Sequence, residues 1–181
     1  MREVNIDSIR MSLMSYQRVV VLKEKSADRY LPIWIGPAEA EAIAIQLQQM
    51  AVQRPLTHDL LRSIIQALGA TVQSVVVHDL ANETFCARIV LDIAGRSLEI
   101  DSRPSDALAL AVRVKVPIFV EEAVLDKAGV IADQDGKLVS KTEPEARQLS
   151  EEELKRLAPF RDFIQSLDLD DLGGSGQPRR T

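Results

Sequence analysis

The segment Asp106–Arg113, "DALALAVR", constrains the fold more than any other stretch of the chain. Between its terminal charges it is apolar on every side at helical spacing, and a helix of that kind must be buried all round. It therefore needs a sheet beneath it and other elements beside it. The residues that introduce it are opposite in character. "IDSRPSD", Ile100–Asp106, holds two aspartates, two serines and an arginine. Arg103 precedes a proline and is pushed into extended backbone, which suits an N-cap with Pro104 at N1. Asp106 then falls at N3, where free backbone N–H groups and the helix dipole favour a carboxylate. Capping accounts for Pro104, Ser105 and Asp106. It leaves Asp101 and Arg103, charges beside a buried helix that must be hydrogen-bonded or face a cleft. The spacing fits both a plain cap and one wall of a site.

The rest of the chain supplies the layers. "VNIDSIRMSL", "RVVVLKEK" and "RYLPIWIG" read as three strands, rich in β-branched and aromatic residues. Gly36-Pro37 ends the third and opens a helix, "AEAEAIAIQLQQM", with Glu39 and Glu41 in its first turn. A second helix, "THDLLRSIIQALG", takes Thr57 as N-cap, Leu56 and Leu61 as a hydrophobic staple and Gly69 as its stop. Its expected buried stripe is Leu61, Ile64, Ile65 and Leu68. "TVQSVVVHDL" and "ETFCARIVLDI" pair as long strands, the second placing Phe85, Ala87, Ile89, Leu91 and Ile93 on one face. A short strand, "SLEI", leads into the buried helix, and "VPIFVEEAVL" adds a strand and a helical turn. Strands, two helices, strands and one buried helix predict an α+β fold with a mixed, largely antiparallel sheet. The expected organisation is a domain over 1–135, a linker over 136–149, an amphipathic helix over 150–169 and a disordered tail over 170–181.

Composition narrows the function. The 181 residues carry a formal charge of −5, and Lys and Arg are scattered until "PRR" near the C-terminus. A protein that grips nucleic acid by its phosphates alone shows a basic stripe. Phosphate chemistry here needs a local arginine, helix N-termini or a cation held by carboxylates. The single cysteine, Cys86, excludes an internal disulfide and any zinc site built on several thiolates. No apolar run approaches the roughly 18–20 residues of a membrane span. "MREVNIDSIR" is charged where a signal peptide would be apolar, so the expectation is a cytoplasmic protein without a membrane partner. No P-loop, G-x-G-x-x-G turn, G-x-S-x-G elbow or H-E-x-x-H helix is present.

Two further polar clusters stand at helix starts. "RPLTHDL", Arg54–Leu60, places His58 and Asp59 in the first turn of the second helix. They read either as a solvated first turn or as a proton carrier with a metal ligand. Glu39 and Glu41, two apart, cannot share a helix face, and Glu39 is the better candidate for a site. His78 and Asp79 point to opposite faces of a strand and make no dyad.

Three of these segments, "LPIWIGPAEAEAI", "RPLTHDLL" and "IDSRPSDALALAVR" with "VPIFV" after it, resemble in order and spacing the bifunctional nuclease family, also called domain of unknown function 151. The resemblance covers roughly Met1 to Asp133. It implies an α+β domain, self-association, and a nuclease acting on RNA and DNA, an activity that rests mainly on plant members.

Residue types and placement then give the working assignment. Asp59, Asp101 and Asp106 are expected to hold Mg²⁺ or Mn²⁺ through oxygen. His58 moves a proton, Arg103 clamps a phosphate oxygen, and Glu39 serves as base or third-wall ligand. RNA or DNA is the expected substrate, and a homodimer or larger homo-oligomer the expected state. The competing expectation is a non-catalytic oligomeric module that binds a small anion or a protein, in which the same charges form a structural network.

Overall fold

The computed structural model describes residues 1–11, 17–132 and 138–140. The described chain divides into Met1–Gly129 and a second unit from Val130 onward. In the first unit, strands β1 (Arg2–Met11), β2 (Arg18–Glu24) and β3 (Arg29–Ile35) form an antiparallel meander. Helices α1 (Pro37–Leu47) and α2 (Thr57–Ala67) follow. A second antiparallel meander comprises β4 (Ala70–Ala81), β5 (Thr84–Ile93) and β6 (Arg96–Ser102). Helix α3 (Pro104–Val114) then leads to β7 (Ile118–Val120) and α4 (Glu122–Ala128).

Short β7 joins the two meanders. It runs parallel to β4 and antiparallel to β1, giving the order β6-β5-β4-β7-β1-β2-β3. The fold is α+β, and among the described pairings of this unit β4–β7 is parallel and the others are antiparallel. The second unit shows a hairpin of β8 (Val130–Ala132) and β9 (Leu138–Ser140), in register from Val130↔Ser140 to Ala132↔Leu138. Leu138–Ser140 is therefore a strand where a linker is expected. The predicted helix at 150–169 and tail at 170–181 lie outside the described residues.

Helix α3 is buried as its sequence demands. Pro104, Ser105, Ala107 through Ala111 and Arg113 are all buried, packed with Val75, Val77, Ala87 and Ile89 of the sheet. Alanines at 107, 109 and 111 keep the helix thin enough for neighbours to approach on several sides. Four of its residues, Ala107 to Leu110, are fully inaccessible. Burying a Leu-sized side chain in this way is worth about 1.5–3 kcal/mol. Lys115 ends the helix in a left-handed conformation, φ 59°, its N–H returning to the Ala111 carbonyl.

Helix α2 differs from expectation at its start and on its faces. Leu56 is the N-cap, so Thr57 is N1 and the staple with Leu61 is out of register. Its buried residues are His58 and Ile65, with Leu61 packed against the core. Ile64 and Leu68 face outward, 46% and 75% exposed. The expected stripe is rotated because His58 and the Asp59 tie described below set the inward face, and two polar residues outrank two apolar ones. Gly69, at φ 74°, ends the helix as its sequence predicts.

Candidate functional site

All three long helices carry an acid at the same position. Pro37, Thr57 and Pro104 stand at N1, which puts Glu39, Asp59 and Asp106 at N3. A carboxylate at N3 ordinarily bonds the backbone N–H of its own N-cap, and of these three Asp59 does so. Its Oδ2 accepts the Leu56 N–H at 2.9 Å. Its other oxygen accepts from Arg113 Nε at 2.9 Å, and Arg113 Nη1 donates to the Ala109 carbonyl at 2.8 Å. Arg113 is a buried cation, its side chain 1% exposed. Burial pushes the Asp59 carboxyl upward, but the Leu56 N–H and the Arg113 charge outweigh it and hold it below the ordinary carboxylate value. Asp59 is thus the tie between α2 and α3, with both of its oxygens committed.

Asp106 and Glu39 are used differently. Asp106 Oδ1 lies 3.1 Å from His58 Nε2, and Asp106 Oδ2 accepts from Arg103 Nε at 2.7 Å. Arg103 Nη2 donates to Glu39 Oε1 at 3.0 Å. One arginine, itself the N-cap of α3, therefore spans the first turns of α1 and α3, and Asp106 carries the link on to α2. Burial raises the Asp106 carboxyl, and the hydrogen bonds and charges of Arg103 and His58 overcome it, leaving it below the usual range. Arg103 is held above the ordinary guanidinium value, first by its hydrogen bond to Asp106. With Nε2 facing Asp106, His58 Nδ1 is a buried polar atom that bonds no described residue.

Gly36 makes room for this arrangement. A Cβ there would stand 2.2 Å from Glu39 Oε2, so the carboxylate of Glu39 folds back over its own helix start. The lone Gly-Pro pair before α1 is therefore more than a strand stop.

These groups line a cleft of about 400 Å³, walled by Glu39, Glu41, Thr57, His58, Arg103 and Asp106 among others. Arg103 is the most exposed of the bonded groups, with a side chain 69% accessible against 18% for Glu39 and 28% for Asp106. Glu41 shares the cleft wall with Glu39, although the two do not share a helix face.

Of the six residues singled out in the sequence, four converge here: Glu39, His58, Arg103 and Asp106. Asp59 is spent on Arg113. Asp101 sits on β6 opposite Arg88, exposed, and its side chain pairs with no described residue. The expected shell of Asp59, Asp101 and Asp106 is not assembled. Among the described residues no three His, Cys, Asp or Glu side chains stand close enough to hold a metal ion. The physical reason is that Asp59 is turned to Arg113 and Asp106 to Arg103, while Asp101 lies exposed on β6. Arg113 was missed in the sequence, where it reads as a C-terminal charge on an apolar helix. Its signal is the i−4 carbonyl of Ala109, within reach of a long side chain on a face that cannot meet water.

A second ionic cluster, also missed, lies among β1, β2, β3 and α4. Glu24, 1% exposed at its side chain, accepts from Arg29 Nε at 2.7 Å, and Arg29 Nη2 reaches Glu122 at 2.7 Å. Arg2 pairs with Glu122 from the other side. The Arg29 hydrogen bond holds the Glu24 carboxyl below its ordinary value. No member of this cluster lines the cleft.

No described helix is long and apolar enough to cross a membrane. Comparison with known proteins adds the family. The family model for the bifunctional nuclease domain matches residues 20–133. An uncharacterized protein of Mycobacterium tuberculosis is 42% identical over 171 residues, 94% of this chain and 98% of the relative. Bifunctional nuclease 2 of Oryza sativa subsp. japonica is 29% identical over 118 residues, and bifunctional nuclease 1 of Arabidopsis thaliana 26% over 123. The matches cover 63% and 66% of this chain but only 36% and 38% of those plant proteins. The stretch that matches contains α1, α2, α3 and every residue of the cleft, and the chain belongs to the bifunctional nuclease domain family.

Proposed function

We propose that the protein hydrolyses phosphodiester bonds of RNA or DNA in the cleft where Glu39, His58, Arg103 and Asp106 meet. One observation supports this above the others. Arg103 bridges two carboxylates at 2.7 and 3.0 Å, yet its guanidinium stays open to solvent. Arg113, which ties α2 to α3, is by contrast sealed from water.

Guanidinium has five N–H donors, and the bonds to Asp106 and Glu39 use two of them. The others fit a phosphate, with the fork geometry that a lysine lacks. The N-termini of α1, α2 and α3 add positive potential at the same place. This supplies an anion site on a protein that is acidic overall. In the reaction, a water oxygen attacks phosphorus as its proton passes to Glu39. The P–O ester bond breaks, and the departing oxygen takes a proton from the solvent-open cleft. Arg103 steadies the charge that builds on the phosphate oxygens. Asp106 aims Arg103, and His58 aims Asp106. His58 is thereby a positioning residue in this proposal, because its Nε2 is already engaged.

Mg²⁺ or Mn²⁺ enters the proposal through a different donor set from the one the sequence suggests. No three His, Cys, Asp or Glu side chains form a ready shell among the described residues. The cation would therefore arrive on the substrate phosphate with most of its water, meet the cleft carboxylates singly, and supply further neutralisation of the phosphate. The test is cleavage of single-stranded RNA and DNA by the purified protein, with and without added cation, beside Arg103→Lys and Glu39→Gln.

We also propose self-association. Leu60, Ile64 and Leu68 form an outward stripe on α2 that is 56%, 46% and 75% exposed. Leu98 and Ile100 on the outer strand β6 are also open, at 45% and 41%. Apolar stripes of this kind mark contact surfaces.

A further inference from the structure

Arg103 also lines a second cleft. This one, about 340 Å³, is walled by Trp34, Ile35, Gly36, Phe85, Pro104 and Ser105 together with Arg103 itself. It differs in kind from the polar cleft. Trp34 and Phe85 are half-buried rings from β3 and β5, elements far apart in sequence that reach the same hollow. The volume lies at the lower end of the roughly 300–1,000 Å³ of ligand pockets. Apolar walls with a few polar groups at the edge are the usual composition of such pockets.

We infer that this apolar cleft takes one unpaired nucleobase, against Trp34 and Phe85, while Arg103 holds the phosphate joined to it. The inference rests on the proposed reading of the polar cleft as a phosphodiester site, and it names the form of the substrate as single-stranded. Three observations support it. Arg103 lines both clefts, so a phosphate on its guanidinium lies within one nucleotide of either. Aromatic faces accept any base by stacking, which does not depend on sequence. Glu83, at the cleft rim in the β4–β5 turn, repels phosphate but can accept a hydrogen bond from a base amino group. The backbone of a nucleic acid is therefore kept on the Arg103 side and the uncharged base is admitted. A base within a duplex is stacked and paired on both sides and cannot enter without being extruded.

Trp34 is the only tryptophan in the chain, so its fluorescence reports on this cleft alone. The full-length protein is titrated with a thymidylate trimer and with the fully abasic trimer, both carrying phosphorothioate links to suppress cleavage. The base-bearing trimer is expected to change Trp34 emission and to bind about 5- to 150-fold more tightly than the abasic one, the factor associated with one stacked base. Phe85→Leu, which keeps an apolar side chain but removes the ring, should erase most of that factor and leave abasic binding unchanged. Arg103→Lys should weaken both trimers alike. Equal affinity of the two trimers, or unaltered Trp34 emission on saturation, overturns the base cleft. Cleavage of RNA and DNA is measured separately. Base-dependent binding without cleavage keeps this cleft and removes the hydrolytic proposal. Cleavage at equal rates on abasic and base-bearing strands keeps hydrolysis and removes this cleft.

Discussion

Arg113 Nε and Asp59 Oδ1 lie 2.9 Å apart, joining the first turn of α2 to the last turn of α3 from inside the protein. Two residues at opposite ends of their helices thus set how α2 lies on α3, and His58, beside Asp59, is brought to Asp106 as a result. Removing one member strands the other. Asp59→Ala should destabilise the protein by about 3 kcal/mol, the lower part of the range for breaking a buried pair, because Asp59 is itself only partly covered. Urea unfolding checks this. A change below about 0.5 kcal/mol would show that α2 is seated without the pair.

Gly36→Ala tests how Glu39 is placed. Gly36 has φ −66° and ψ 153°, which alanine adopts freely, so the backbone is not strained. The added methyl must displace the Glu39 carboxylate from its present position. The melting temperature should move by no more than a degree or two, while cleavage falls as far as it does in Glu39→Gln. Full activity in Gly36→Ala would place the working position of Glu39 elsewhere.

Acid stability follows from four carboxyls held below their ordinary values: Glu24, Asp59, Asp106 and the more exposed Glu122. A depressed folded value means that the stabilisation is present above the unfolded value, near pH 4, and is lost as pH falls through the folded one. The protein should therefore keep its stability down to about pH 4 and lose it steeply below that. In Glu24→Gln the acid limb should be shallower, and stability at neutral pH lower. Identical acid limbs for wild type and Glu24→Gln would show the Arg29 pair to be energetically silent.

Much of this architecture was legible in the sequence. The period of "DALALAVR" demanded burial on all sides, and Pro37 and Pro104 marked two helix starts to the residue. Alternation in "ETFCARIVLDI" put Phe85, Ala87, Ile89, Leu91 and Ile93 on one face. Of these, Ala87, Ile89 and Leu91 are buried, Phe85 is half-buried and Ile93, at the strand end, is 38% exposed. The polar convergence was legible only in part. Acids at helix starts are visible one element at a time, but which of them share a neighbour depends on how helices cross. Glu39 and Arg103 are 64 positions apart, and Asp59 and Arg113 are 54 apart. Nothing local says that an arginine at the end of an apolar helix will take Asp59 away from Asp106. The face of α2 was misread for the same reason, since its apolar stripe and its polar anchors competed for the core.

Self-association should be visible by light scattering as a mass of at least twice 20.1 kDa in the micromolar range. Ile64→Glu with Leu68→Glu should reduce it to the monomer without loss of fold, because both side chains are already exposed. A wild-type monomer over that range would leave the α2 stripe unexplained by a second copy.

The most direct test of the central claim is the rate at which wild type, Arg103→Lys and Asp59→Asn cleave single-stranded RNA and DNA, normalised to folded protein. The account predicts measurable cleavage by wild type. It predicts a loss of at least tenfold in Arg103→Lys with an unchanged melting temperature, since that side chain binds phosphate from an exposed position. Asp59→Asn should show the reverse, a lowered melting temperature with activity per folded molecule retained. Wild type that cleaves neither substrate, with Mg²⁺, Mn²⁺ or neither, or an Arg103→Lys variant as active as wild type, would contradict it.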